Sequence, residues 1–573
     1  MGDGIDDNTT IMRHFATEKF KAFLLAGTFS AVVGYLGRFI HSVIAGHVIG
    51  EDALAGVNMA APMMIVVAFV AYLIAIGTAN NYSIWMGRLD RARARGFFTQ
   101  GLLLSLLCGA VLSAVMYFGE DRYLALLNGS EYVEMYGRQY LDWMWPVGFT
   151  KCLMMFLALF CYADGDFRLC PIAYGVVFVT NAAVSYVAVD QGMGASGCAL
   201  GTVVSEALGA LILCTHFFRK INTAELSRHF SLRDSYYIVR ASFGNVSALL
   251  CDAVLFFVVN KLVIARFDFD YLPVAGVAIA LWNLLAIFNG VGYAVQPLVT
   301  VYWGERNTRA IRKVMQAALI AAAVEGLTFA GLFLSFPDIV IWIFGVEYPE
   351  LVADTRICVR LLCTGFLPLA IASLLNAYYL FIERPIISIY MTFLCYLVMP
   401  VAGVIVGSSF GLNGIWIGMG LGSFLGVAAM SVAILVKRGR HGFPLLLPRQ
   451  REAKIRMFDL VLTEEEIVRV SKAVAAALSD DIAPRAALMV EEVFMTVRER
   501  NPGRKRILGE VTLDLNDGVV MTLRDDGVIF DITDADAKVS SLRTYLVASV
   551  MRQQNGRLNM VTAGFNRNVF RFA

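Results

Sequence analysis

Twelve stretches of about twenty mostly apolar residues follow one another along this chain, and no other feature limits its fold as tightly. They lie at roughly 23–48, 61–84, 97–118, 140–162, 170–189, 196–218, 242–265, 274–300, 311–335, 356–382, 386–407 and 413–436. A helix needs about 20 such residues to cross a bilayer, and lipid offers peptide groups no hydrogen bonds, so each stretch closes its own as a helix. Hydrophobic residues make up 58% of the chain and charged ones 16%, with mean hydropathy +0.65. A single soluble core cannot absorb that excess, because cores stop growing beyond roughly 250–300 residues. The expectation is an all-α polytopic membrane protein with the lipid bilayer as its solvent. Forty-eight basic residues against 46 acidic ones give a net charge of +2, which speaks against a nucleic-acid partner. The ten cysteines are scattered through apolar segments and read as small core residues. Residues 1–22 read as a polar cytoplasmic segment ending in Lys19 and Lys21. The apolar run after them is followed by further spans and so is not a cleaved signal peptide.

The connecting loops alternate in charge. Arg88, Arg91, Arg93 and Arg95 follow the second stretch; Arg219, Lys220, Arg228 and Arg233 the sixth; Arg306, Arg309, Arg312 and Lys313 the eighth; Lys437, Arg438 and Arg440 the twelfth. The loops between carry Glu51 and Asp52, Glu120 and Asp121, Asp268 and Asp270, or Glu347 and Glu350. The positive-inside rule then places both termini in the cytoplasm of a bacterial inner membrane.

The chain also repeats. A spacing of 217 residues separates Gly87 from Gly304, Asp166 from Glu383 and Gly194 from Gly411, each within similar local sequence. Ala55-Gly56-Val57 returns as Ala275-Gly276-Val277 after 220. Two six-helix bundles with the same orientation make a parallel repeat, here 23–218 and 242–436 joined by a cytoplasmic linker over 219–241. Transporter sites lie at such repeat interfaces.

After Arg440 the composition becomes that of a soluble domain. Residues 437–454 read as an exposed linker with Pro444 and Pro448, and 455–573 as a small α/β sandwich. Helices are expected over 464–478 and 484–500, and a hairpin with strands Val511 to Leu515 and Val519 to Leu523 about Asn516-Asp517-Gly518. On this reading the tail can be deleted without unfolding the membrane part.

His41-Ser-Val-Ile-Ala-Gly46, Leu54-Ala-Gly-Val-Asn-Met-Ala-Ala-Pro62, Gly165-Asp166-Phe-Arg168 and Gly194-Ala-Ser-Gly197 occur in that order. In these motifs and the duplication, residues 20–438 resemble the multidrug and toxic compound extrusion family. The resemblance implies a V-shaped pair of bundles with alternating access, exporting amphipathic organic cations against a sodium or proton gradient. The tail is similar to the GHKL ATPase fold of anti-sigma-factor kinases. It carries Glu491-Glu492 on a helix, Asp525-Asp526-Gly527 after a strand, and Asn566-Arg567-Asn568 in a final strand. That similarity implies that Asp525 accepts from the adenine amino group and that Gly527 lets the backbone approach.

An ionisable group costs roughly 2.5 kcal/mol or more at the centre of a span, so each is a candidate for function. Asp252 falls mid-span where the family places a C-lobe coupling carboxylate. A carboxyl there can take up and release a proton or hard cation; the plainer role is hydrogen bonding between helices. In the N-lobe, His41 and Ser185 stand where proton-coupled members have acids, while Asn181 matches the family's Asn. His41 can still titrate as an imidazole. Glu206 and Glu325 are either proton sites or helix-packing hydrogen bonds. The tenth span has Asn376 and no acid, so a multi-carboxylate sodium site is not visible. Tyr35, Tyr72, Trp282 and Tyr293 can stack on cations, although most membrane aromatics pack against helices or lipid.

In the tail, Thr496 stands where the GHKL pattern has a magnesium-binding Asn four residues after Glu492, and no Gly lies between Ser540 and Val547. Binding of ATP with magnesium is left possible, through Glu492, Asp525 and Gly527. A non-catalytic role, reading a cytoplasmic regulatory protein, is favoured over kinase or ATPase activity. A flippase for lipid-linked saccharides needs basic residues in its lumen, and only Arg38, Lys151 and Lys261 are candidates. A membrane sensor with a kinase output needs an intact nucleotide site. A primary pump needs a phosphate-binding Gly-x-x-x-x-Gly-Lys-Ser/Thr loop, and none occurs. The topology is directly testable: a reporter fused after Arg440 is expected to be active only as a cytoplasmic marker. Activity as a periplasmic marker would overturn the twelve-span count.

Overall fold

The computed structural model describes residues 14–37, 40, 44–127, 131–228, 231–267, 271–344, 349–438, 444–516, 518–530 and 559–572. The chain is mostly helical. Eleven helices among these residues are long and apolar enough to cross a membrane: Phe15–Leu36, Ala61–Gly87, Arg91–Ala125, Leu169–Met193, Ala195–Phe218, Phe243–Arg266, Leu272–Gly304, Thr308–Ser335, Leu351–Phe381, Pro385–Phe410 and Leu412–Val436. The pair Glu134–Met144 and Val147–Ala163, bent by 53°, makes a twelfth if counted as one span. The bend falls at Trp145 and Pro146, where a proline interrupts the ladder. Counted in chain order, with the bent pair fourth, these are the first to twelfth spans below.

The first span departs from expectation. It begins at Phe15, not near residue 23, and ends at Leu36. Glu18, Lys19 and Lys21 make this stretch look polar, yet Phe15, Ala16, Phe20 and Phe23 are buried. They pack against the tail, which supplies the apolar surroundings that lipid supplies higher up.

The spans that leave on the tail side end in matching ways. Leu89 and Arg306, 217 residues apart, both have positive φ, at 65° and 62°. Asp90 N bonds back to Trp85 O at 3.0 Å, and Asn307 N to Tyr302 O at 2.9 Å, the six-residue closure that follows a left-handed residue at a helix end. Between these caps the second and eighth spans touch backbone to backbone. A Cβ on Gly87 would lie 2.3 Å from Val301 O, and one on Gly304 2.3 Å from Ile84 O. Gly27 and Gly290 make a similar approach between the first and eighth spans, where a Cβ on Gly27 would lie 2.5 Å from Gly290 O.

The tail is a five-stranded antiparallel sheet: β1 (Ile455–Val461), β2 (Leu508–Asp514), β3 (Val519–Asp525), β4 (Asn559–Thr562) and β5 (Phe565–Phe572), in the order β1-β2-β3-β5-β4. β1 and β4 were not anticipated. The helices Glu464–Ala475 and Ala483–Glu499 pack on one face around Val470, Val490, Phe494, Val511, Leu513, Met521 and Leu523. Side chains alternate along a strand, so Glu510, Thr512, Arg524, Phe565 and Arg567 project from the other face, and that face lies on the ends of the spans. Tyr302 Oη donates to Glu510 Oε2 at 3.2 Å, Asn307 Nδ2 to Thr512 Oγ1 at 3.4 Å, and Arg309 Nη1 to Ile455 O at 3.0 Å. Phe565 meets the ring of Phe15 edge-on at 5.2 Å and stacks on Phe23 at 6.0 Å.

The linker is likewise covered, which corrects the expectation of an exposed one. Leu445, Leu446 and Leu447 are buried, and the hydroxyls of Tyr378 and Tyr379 donate to Leu445 O (2.7 Å) and Pro444 O (2.9 Å). The exposed linker, one premise for expecting the membrane part to stay folded when the tail is deleted, therefore fails. Deletion would uncover a shared apolar surface from Phe15 to Tyr379.

The glycine contacts make a stability prediction. Gly87→Ala is expected to cost about 1–3 kcal/mol, as overpacking does, because the obstacle is backbone. Gly175→Ala, where nothing lies within 4 Å of a new Cβ, should be neutral or better. Thermal unfolding of the purified protein in detergent compares the two; equal melting temperatures would remove the backbone contact.

Candidate functional site: a cavity between the two halves

The eighth span changes helical pitch at its middle. An α-helix over Leu272–Asn283 tightens to a 3₁₀ turn over Leu284–Phe288, then resumes as Asn289–Gly304. Pro297 has no N–H for the Tyr293 carbonyl. These irregularities are tolerated in a membrane only where protein or a cavity surrounds them. Here the eighth span forms one wall of a cavity, opposite the seventh, tenth and eleventh spans, with Tyr72 and Ile76 of the second span closing it. The space is about 1120 Å³, counted out to its open side and including open solvent.

One carboxylate faces this space, that of Asp252, and its Oδ1 accepts from Trp282 Nε1 at 2.8 Å. Asp252 is only partly buried. Around it are Tyr72, Tyr293 and Tyr396, and the neutral polar groups of Asn245, Asn283, Asn289, Ser373, Asn376 and Gln296. Ser373 Oγ donates to Asn289 Oδ1 at 3.0 Å, and Asn376 Nδ2 to Thr392 Oγ1 at 2.8 Å. Gln296 Nε2 donates to Asn80 Oδ1 at 2.8 Å, crossing from one half of the chain to the other. Among the described residues, no lysine or arginine lines the cavity.

Of the aromatic candidates, Tyr72, Trp282 and Tyr293 line the cavity and Tyr35 does not. Tyr35 is buried, and its hydroxyl donates to Ala280 O at 2.9 Å. Tyr293 also stacks on Tyr162, centroids 6.0 Å apart. The other acids are not gathered here. Glu206 sits 2.5 Å from Lys151 and accepts from Thr150 Oγ1 at 3.0 Å, a paired group within the first half. Glu325 lies on the ninth span, away from the cavity lining, and its two oxygens make no hydrogen bond among the described residues. Asn181 accepts from Ser185 Oγ at 3.1 Å in the fifth span. His41 and Arg38 lie outside the described residues. Lys151 is occupied by Glu206, and Lys261 lies over the Phe257 ring at 5.8 Å, so neither faces the cavity. Apart from Asn376, the lining amides were missed from sequence. An Asn or Gln inside an apolar span needs a partner, and Asn80, Asn289 and Gln296 carry that signal.

In the tail, Asp525 is fully buried. Its Oδ1 accepts from Gly527 N at 2.9 Å and Asn566 Nδ2 at 2.8 Å, while Oδ2 has no partner among the described residues. Burial pushes its carboxyl up to about 7 against the pull of those two donors. Thr496 donates its hydroxyl to Glu492 O at 2.7 Å, closing on its own helix.

The MatE family model matches this chain twice, over residues 28–187 and 247–405, together more than half its length. The chain belongs to the MatE family. Solved structures agree at the level of fold. A MATE protein in complex with MaL6 is 18% identical, with TM-score 0.69, over 75% of this chain and 98% of its own. An outward-facing multidrug resistance MATE family transporter of the MOP superfamily gives the same values. So does a MOP superfamily transporter from Pyrococcus furiosus whose binding pocket is described as of reverse polarity. Among curated proteins none matches. This MatE member is therefore a multi-pass membrane protein of the transporter fold, and both family matches end before the tail.

The Asp525 carboxyl makes the tail's stability depend on pH. It ionises near 7 in the folded tail and near 3.8 when exposed, so the folded tail keeps a proton that the unfolded segment has lost between those values. Its stabilising contribution is complete below pH 3.8, falls as pH rises to about 7, and is gone above. Amide hydrogen exchange of β3 and β5 in the full-length protein should show this decline. In Asp525→Asn the decline should be absent, and an unchanged profile there would assign it to another group.

Proposed function

We propose that this MatE protein is a secondary active exporter. It antiports amphipathic organic cations against a sodium or proton gradient across a bacterial inner membrane, with its termini in the cytoplasm. Two six-helix halves, related as a parallel repeat, would exchange access to the cavity, and the tail would regulate them. The observation that carries this reading is the polarity of the cavity: among the described residues its lining holds one carboxylate, Asp252, with aromatic rings and neutral amides and no basic group. An organic cation gains ion pairing at Asp252 and ring contact at Trp282, Tyr72 and Tyr293. A proton or sodium ion competes for the same carboxylate. Mutually exclusive occupancy of one site by driver and cargo is sufficient for antiport. The meeting of Gly87 with Gly304, equivalent positions in the sequence repeat, supports an axis between the halves.

The same polarity disfavours the flippase reading, since a pyrophosphate group would find no basic side chain among the described residues of the cavity. In the tail, Asp525 Oδ2, which has no partner among the described residues, suits an adenine amino group, but Thr496 is turned to its own backbone. This supports weak nucleotide binding without turnover, not a sensor kinase.

Proteoliposomes with sodium and proton gradients imposed separately test the proposal. Asp252→Asn keeps the shape and the acceptor for Trp282 but cannot carry charge. It is expected to abolish gradient-driven accumulation of a cationic dye, a loss of at least tenfold, at unchanged melting temperature. Normal accumulation in the variant would leave Asp252 only its hydrogen bond to Trp282.

A further inference from the structure

We infer that the tail sheet is a clamp: docked, it ties the ends of both halves together through Arg567, and those ends part only after it leaves. The inference rests on the transport reading in one respect, that exchange of access requires the halves to separate on the tail side.

Arg567 on β5 touches both halves at once. Its Nη1 donates to the carbonyls of Met86 (3.3 Å) and Gly87 (3.1 Å) at the end of the second span, where the negative end of the helix dipole favours a cation. Its Nε lies 3.0 Å from Glu305, just beyond the end of the eighth span. These are the two span ends that meet through Gly87 and Gly304, so the guanidinium sits on the seam itself. Neighbouring contacts fall on either side. The Ala563-Gly564 turn between β4 and β5 lies against Gly165 of the first half, where a Cβ would be 2.1 Å from the Ala563 carbonyl carbon. On the second half, Glu305 also binds Arg524, Tyr302 binds Glu510, and Arg312 holds Glu452 at 2.8 Å. Lys19 at the base of the first span pairs with Asp526.

The composition of this contact suits a switch. Glu305, Glu510, Arg524 and Arg567 are all at most 6% exposed. Docked, each has a partner of opposite sign; fully undocked, each side of the interface meets water. A half-lifted sheet would leave Glu305 or Arg567 buried and unpaired, the costliest arrangement for a charge. Docking is therefore close to all-or-none, and a bound tail holds the seam shut.

The test keeps the tail's own sequence intact. Glu305→Gln, Lys19→Gln and Arg312→Gln together remove the pairs that Glu305, Lys19 and Arg312 make, from the membrane side only, leaving the Arg524–Glu510 pair inside the sheet and the His14 and Lys313 contacts with Asp459. Nitroxide labels at Lys220→Cys and Ile386→Cys, exposed tail-side positions on opposite halves, report separation of the halves in proteoliposomes. Cys108 and Cys214, the cysteines not fully buried, are replaced by serine. Hydrogen exchange of β5 reports docking. The clamp predicts one short label distance in the parent protein. In the triple variant it predicts a second, longer population, faster exchange at β5, and initial export at least threefold faster. Faster exchange with an unchanged distance distribution overturns the clamp, and so does unchanged exchange at β5. If the distances shift as expected but neither protein exports a cation, the clamp stands and the export reading fails.

Discussion

A peptide group in hydrocarbon has nothing to bond with except another peptide group, and the architecture of this protein follows from that constraint. It forces each apolar stretch to close its own ladder, leaving side chains alone to distinguish one helix from the next. Where the ladder is disturbed, something other than lipid must surround it. The 3₁₀ turn Leu284–Phe288 and the proline at 297 lie in the eighth span, and that span carries Trp282, Asn289, Tyr293 and Gln296 to the cavity. The π-helical turn Phe393–Val398 carries Tyr396 to the same place. Irregular backbone and functional cavity coincide because each makes the other affordable.

Packing between the halves uses the opposite device. Gly87 and Gly304 remove side chains so that two spans meet backbone to backbone, without any apolar driving force, as lipid is as apolar as leucine. The tail then covers this seam. Its sheet keeps a conventional apolar face for its two helices and turns a charged face to the membrane part. Docked, that face pairs its charges and also buries Phe565 against Phe15 and Phe23. Burial pushes the Glu510 carboxyl up to about 7, opposed by Arg524, and draws Arg567 down to about 10, opposed by Glu305. Those opposing pulls describe an interface held by matched charges whose desolvation is not free.

Much of this was legible in the sequence. The twelve stretches, the loop charges and the 217-residue spacing come from local composition, and local composition decides whether a segment enters lipid. Asp252 could be singled out because a carboxyl in a span is rare. The tail's helices at 464 and 484 and the Asn516-Asp517-Gly518 hairpin were readable from periodicity and turn chemistry. The reading failed where a segment's surroundings come from elsewhere in the chain. The first span begins at Phe15 despite Lys19 and Lys21 because Asp526 neutralises one of them and Phe565 buries the apolar face. The linker looked exposed because its prolines and basic neighbours resemble solvent-facing sequence, whereas Tyr378 and Tyr379 fix its carbonyls.

The sequence alone determined which segments are apolar enough to cross a membrane, that the chain repeats in pattern, and that a less apolar α/β segment follows, since each depends on hydrophobicity and spacing along the chain. Only the tertiary structure decided which acids share a space. Asp252 came to a cavity, Glu206 to Lys151, and Glu325 to neither, because helix rotation and pairing set those distances. It alone decided too that Arg567, almost at the end of the chain, lies against Gly87 and Glu305. Nothing in a strand's alternation says what will cover its second face.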